Sequence, residues 1–145
     1  MRVMRHVAHP ATKMTVRDLM SRSVVSGDPR GSLVDAAALM RSHRISALAV
    51  LDGHSIVGIV TERDLMRAVA DGRNPAATHI SQYMTHSPIT IDAAEPAAKA
   101  AAIMVKHRVR HLPVTDDDRL VGFLSARDLL AMKPWPGNLP VGEAW

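Results

Sequence analysis

Apolar and polar positions along this chain follow one pattern twice. Leu33, Ala36, Ala37 and Met40 stand at offsets of 0, 3, 4 and 7, and Ala97, Ala100, Ala101 and Met104 repeat those offsets 64 positions later. That is the spacing of one helix face, so each set predicts an α-helix with its apolar side inward. Ahead of each helix lies a short β-rich run, Val24 to Ser26 and Ile89 to Ile91, ended by an Asp-Pro or Asp-Ala turn. Two further apolar runs follow each helix and predict strands: Ala47 to Leu51 and Ile56 to Val60, then Leu112 to Thr115 and Leu120 to Leu124. Turn-rich loops, Asp52-Gly53-His54-Ser55 and Asp116-Asp117-Asp118-Arg119, join the strands of each pair. A last helix begins at Thr61 or at Ser125, with Leu65 and Val69, or Leu129 and Met132, facing inward.

Residues 20–68 align with 84–132 without a gap, matching Met20 to Met84, Asp28 to Asp92, His43-Arg44 to His107-Arg108, Val57-Gly58 to Val121-Gly122 and Arg63-Asp64-Leu65 to Arg127-Asp128-Leu129. Two copies of so long a period predict two supersecondary units folded face to face; a solenoid needs three or more. Asp71-Gly72-Arg73-Asn74-Pro75 reads as the linker, since Gly and Pro break helices. The expected organisation is a lead-in over 1–13, a first unit over 14–75, a second over 76–133, and an extended Pro/Trp arm over 134–145.

Composition narrows the function. A chain of 145 residues can bury a core of its own. With no cysteine, disulfides, zinc-thiolate sites, iron–sulfur clusters and thiol nucleophiles are excluded, and a reducing cytoplasm is the expected location. The apolar runs are too short to span a membrane, and the N-terminus lacks the pattern of a secretory signal. A net charge of +4 with eight histidines favours anionic partners. Tyr83, Phe123, Trp135 and Trp145 are the four aromatic residues, too few for rows of base-stacking platforms, so nucleic acid is disfavoured.

The candidate chemistry sits in a stretch that recurs: Gly58-Ile59-Val60-Thr61-Glu62-Arg63-Asp64 and Gly122-Phe123-Leu124-Ser125-Ala126-Arg127-Asp128. A hydroxyl at the N-cap and a carboxylate three residues on can satisfy orphan helix donors. The same geometry suits a ligand, because a helix start attracts phosphate and a carboxylate can accept two hydrogen bonds from a ribose diol. Gly58 and Gly122 fit close backbone approach or a strand bulge. His107-x-x-x-His111 and His6-x-x-His9 have spacings that metal sites use, but the first crosses from a helix end into a strand. No metal site is expected. Nucleophile elbows, phosphate loops ending in Lys-Ser/Thr and His-Glu-x-x-His are missing, so the chain reads as a non-enzyme.

The paired stretches, with Arg108-Val109-Arg110-His111-Leu112-Pro113-Val114 before the second and Val16-Arg17-Asp18-Leu19-Met20 at the start, resemble a tandem pair of CBS domains over roughly residues 14–132. The resemblance implies a mixed α/β (α+β) fold of two β-α-β-β-α units packed with pseudo-twofold symmetry, and two clefts that take adenosine nucleotides as regulatory ligands, with no obligatory cofactor. It also implies roles by position. Asp64 and Asp128 would accept ribose hydroxyls, with Thr61 and Ser125 beside ribose and phosphate. Backbone around Val25 and Ile89 would meet the adenine edge, and Ile45 and Val109 would flank the base. The repeats differ where phosphate is met: Arg110 and His111 stand where the first copy has Ser46 and Ala47, so the second site should hold phosphate more tightly. The expected partners are AMP, ADP, ATP or a related adenosyl ligand, a second copy in a homodimer, and a partner protein that reads occupancy. Two rival readings are an interaction protein whose clefts stay empty and a basic nucleic-acid binder.

Overall fold

The computed structural model describes residues 14–132. The expected lead-in, His6 and His9, and the Pro/Trp arm with its two tryptophans lie outside the described residues. Two compact units make up the rest. One comprises 23–89 with 118–120; the other comprises 14–22, 90–117 and 121–132. The expected boundary near residue 75 is therefore not where the units divide. Each repeat receives its leading segment from the chain ahead of the other.

In the first unit, β1 (Ser26–Gly27) runs parallel to β2 (Ala47–Asp52), which pairs antiparallel with β3 (Ser55–Thr61), and β3 pairs antiparallel with β4 (Thr85–His86). Helix α2 (Leu33–His43) buries Leu33, Ala36 and Met40 against Leu48, Val50, Val60 and Ile80. Helix α3 (Glu62–Ala70) adds Ala68. Two residues expected inward are not: Ala37 is exposed, and Val69 is 65% exposed. An offset pattern marks a broad face, and only its centre meets the sheet.

The second unit has the parallel pair β5 (Ile91–Asp92) and β6 (His111–Asp116), with β7 (Arg119–Ser125) beyond. Helices α1 (Val16–Leu19), α4 (Ala97–His107) and α5 (Ala126–Leu130) close a core of Val16, Ala97, Ala100, Ala101, Met104, Leu112, Val114, Leu124, Leu129 and Met132. Strands β1 and β5 lie later than the β-rich runs that announce them. They end at Asx turns, where Asp28 Oδ1 accepts from the Arg30 N–H and Asp92 Oδ1 from the Ala94 N–H, each at 2.8 Å. In the first unit Ser26 pairs with Ala49, whereas pairing in the second starts one residue later, beside Pro113, which has no N–H to give.

The exchanged segments make equivalent bonds. Leu33 N–H donates to Thr78 C=O as Ala97 N–H does to Met14 C=O, and Ile80 N–H donates to Gly31 C=O as Val16 N–H does to Glu95 C=O. On the far strand, Ile59 faces Thr85 in β4, while Phe123 and Ser21 exchange both backbone bonds at 2.9 Å. Gly58 and Gly122 permit this approach. A Cβ on Gly58 would stand 2.9 Å from Thr85 O and 2.5 Å from Met84 Sδ; on Gly122 it would stand 2.8 Å from Ser21 O and 2.5 Å from Met20 Sδ. The register also slips between Val50 and Leu51 opposite Gly58, so close approach and a strand irregularity coincide in the first repeat. Gly58→Ala and Gly122→Ala are each expected to cost about 1–3 kcal/mol, since a neighbouring carbonyl must move in an already packed layer. Urea denaturation measures this, and an unchanged midpoint in both variants would contradict it.

Candidate functional site

Each repeated stretch runs off the end of a hairpin into a helix, and the capping box forms in both. Thr61 is extended at φ −123°, ψ 169°; its N–H donates to Asp64 Oδ2 at 2.9 Å and its Oγ1 accepts from the Asp64 N–H at 3.4 Å. Ser125 N–H donates to Asp128 Oδ2 at 2.8 Å, and Ser125 Oγ accepts from the Asp128 N–H at 3.1 Å. The first helical N–H is taken as well: Glu62 N–H donates to Ser46 C=O and Ala126 N–H to Arg110 C=O. Most of the helix-start donors that could meet a phosphate are thus bonded within the protein. What these stretches can offer a ligand is the remaining carboxylate capacity and the side chains beside it.

The motif alone does not mark a site, for Thr15-x-x-Asp18 and Ser32-x-x-Asp35 form capping boxes too. Burial separates them. Asp64 is 7% exposed and Asp128 partly buried, whereas Asp18 and Asp35 are exposed.

The two carboxylates differ in a way the sequence reading missed. Asp64 Oδ1 accepts from Arg67 Nη1 at 3.1 Å, and the Arg67 guanidinium lies over the Tyr83 ring, 5.8 Å from its centroid. Tyr83 Oη in turn donates to Asp71 at 2.7 Å, which raises the phenol above its ordinary value. Among the described residues, no bond to Asp128 Oδ1 is found. The signal for this difference was in the repeat register, because the positions matching Arg67 and Tyr83 are Ala131 and Leu19.

Of the other expected site residues, Ile45 and Val25 pack partly buried on the first unit's core, with Thr61, Asp64 and Gly58 in the same unit. Val109, Arg110, His111, Gly122, Ser125 and Asp128 belong to the second unit. Ile89, expected with them, ends the other unit and is 36% exposed. Arg63 and Arg127 face solvent. His107 closes α4 and His111 opens β6, and among the described residues no group of three or more His, Asp or Glu gathers to hold a metal ion.

A family model for the CBS domain matches residues 16–71 and 80–133. The chain belongs to the CBS-domain family. It is 30% identical over 125 residues to the uncharacterized protein MK0525 of Methanopyrus kandleri, spanning 84% of this chain and 64% of that relative's length. Its fold matches a putative signal-transduction protein with CBS domains from Burkholderia ambifaria MC40-6, with a TM-score of 0.77 and 35% identity over 81% of this chain and 91% of that one. It also matches the CBS domain pair of protein MJ0100 in complex with 5′-methylthioadenosine and S-adenosyl-L-methionine, with a TM-score of 0.74 and 30% identity over 79% of this chain and 91% of that one. Among the described residues, no helix of this CBS protein is long and apolar enough to cross a membrane.

His111 gives the second unit its own pH response. Its ring lies 6.0 Å from that of Phe123. Burial first, and the Arg110 charge second, push its pKa down from 6.5 to about 4. Between those values the folded chain keeps the ring neutral while the unfolded chain protonates it, so stability is retained above the interval and declines as pH falls through it. Melting temperature is expected to drop from about pH 7 to about pH 4.5, and to drop less in His111→Phe. An identical pH slope in the two proteins would contradict this.

Proposed function

We propose that this CBS pair is a regulatory module that takes an adenosine nucleotide, AMP, ADP or ATP, or a related adenosyl ligand, and passes occupancy to a partner protein. The single observation that carries the reading is the pair of carboxylates at equivalent positions, Asp64 buried and Asp128 partly buried, each held by the backbone N–H of its own capping residue. A fixed, partly desolvated carboxylate is a strong acceptor for a ribose diol. The solved MJ0100 pair with two adenosyl ligands supports this ligand class.

In this reading Arg110 meets phosphate as a rigid fork and Thr61 and Ser125 stand beside the ribose, while Val25, Ile45, Ile89 and Val109 serve the base. Phosphate is met by side chains, since the helix-start N–H groups are largely committed. No bond is made or broken. Signalling then requires two states with different affinity for the ligand, and a partner that distinguishes them. A homodimer belongs to the same reading. The groove between α2 and α3, lined by Val34, Ala37, Leu65 and Val69 among others, is apolar, and Val69 is 65% exposed. A second copy is the occupant we assign to it, because the same apolar face on two copies is complementary to itself across a twofold axis.

Calorimetry of the full chain with AMP, ATP and S-adenosylmethionine, with sedimentation equilibrium alongside, tests the proposal. Heat with at least one ligand, weakened about tenfold or more when a site carboxylate is replaced, and a mass of two chains are expected. No heat with any of the three, unchanged by Asp64→Asn and Asp128→Asn, rejects the ligand reading, and a monomer rejects the dimer.

A further inference from the structure

The repeats share a stretch that the proposed ligand would use, but the first carries a device the second lacks. Asp64 Oδ2 is held by the Thr61 N–H at 2.9 Å and by Thr61 Oγ1 at 3.2 Å. Asp64 Oδ1 is held by Arg67. An exposed ion pair alone is weak, and the Arg67 side chain is 57% exposed. Two features strengthen this one. The Asp64 side chain is only 9% exposed, so its charge is poorly screened by water. The guanidinium also rests on Tyr83, whose hydroxyl is anchored by Asp71. All four residues belong to one compact unit, and Tyr83 comes from the exchanged segment, so the arrangement is part of the packed first repeat.

We infer that Arg67 is the residue that makes the two repeats unequal: backed by Tyr83, it occupies the Asp64 carboxylate and keeps the first repeat from taking an adenosyl ligand, leaving the second repeat to bind it. The inference rests on the adenosyl reading proposed above. A ribose diol donates two hydrogen bonds and needs both carboxylate oxygens or their spare lone pairs. Arg67, donating from a charged group, competes for the same acceptor at the cost of little motion, since it lies three residues away on the same helix. Ala131 cannot compete for Asp128. Leu19 offers no aromatic face behind it. The phosphate-side difference, Arg110 against Ser46, works in the same direction.

The test is calorimetry of the full chain with 5′-methylthioadenosine, an uncharged ligand, so that removing the Arg67 charge does not change a long-range attraction. Asparagine keeps one oxygen for the capping N–H while presenting a donor where the diol needs an acceptor, so the variants retain their helix caps. Wild type is expected to bind one equivalent per chain. Asp128→Asn should abolish that binding. Arg67→Met, which keeps an unbranched stem on Tyr83, should open a second equivalent or strengthen the weaker site roughly tenfold. Adding Asp64→Asn to Arg67→Met should remove that gain. Two equal equivalents in wild type, or binding lost in Asp64→Asn but kept in Asp128→Asn, or an Arg67→Met titration identical to wild type, would overturn the inference while leaving the adenosyl reading intact. No heat in wild type or in any variant would overturn the reading and the inference with it.

Discussion

The close approach of a leading segment to the strand at Gly58, and of its counterpart to Gly122, is the constraint on which the rest of this structure depends. Neither repeat completes itself. The first needs Thr78 to His86 to start α2 and to extend its sheet, and the second needs Met14 to Ser21 for the same purposes. A methyl group at either glycine would meet a backbone carbonyl at under 3 Å, so the exchanged segment could not lie where it does. Three residues beyond each glycine stands the capping hydroxyl, Thr61 or Ser125. The strand that the glycine allows to be covered on its far side is therefore the strand that delivers the candidate site to its helix.

Much of this was legible in the residues because period and repetition reinforce each other. The helix faces of α2 and α4, the hairpins β2–β3 and β6–β7, and the helix starts at Thr61 and Ser125 all follow from patterns seen twice at one offset. The exchange was not legible. Hydrophobic periodicity shows which face of an element is buried, but carries no information on which copy buries it, and Met20 fits either core equally well. Ala37 and Val69 show the complementary weakness: an apolar residue at the edge of a helix face is placed inward by spacing and outward by the width of the sheet beneath it.

For the site, the sequence singles out Asp64 and Asp128 by a motif that is only partly specific. Thr/Ser-x-x-Asp forms a capping box wherever a helix starts, and this chain uses it at Thr15 and Ser32 with no buried carboxylate. Burial, which needs the fold, distinguishes Asp64 and Asp128. The Arg67–Asp64 pair was hidden in a similar way. Its residues are visible in the register as an Arg where the other repeat has Ala, yet nothing in a linear pattern brings Tyr83 beneath Arg67 or Asp71 to the Tyr83 hydroxyl.

Function on this account comes from breaking a symmetry that the fold supplies. Two equivalent strand-to-helix turns present two equivalent carboxylates, and a single arginine on α3 commits one of them to the protein. The most direct measurement is an amide ¹⁵N–¹H spectrum of the full chain titrated with 5′-methylthioadenosine. The account expects saturable shifts at Ser125, Ala126 and Asp128, with Thr61, Glu62 and Asp64 unmoved over the same range. Equal shifts with one midpoint at both turns, or shifts at Thr61 and Asp64 alone, would contradict it.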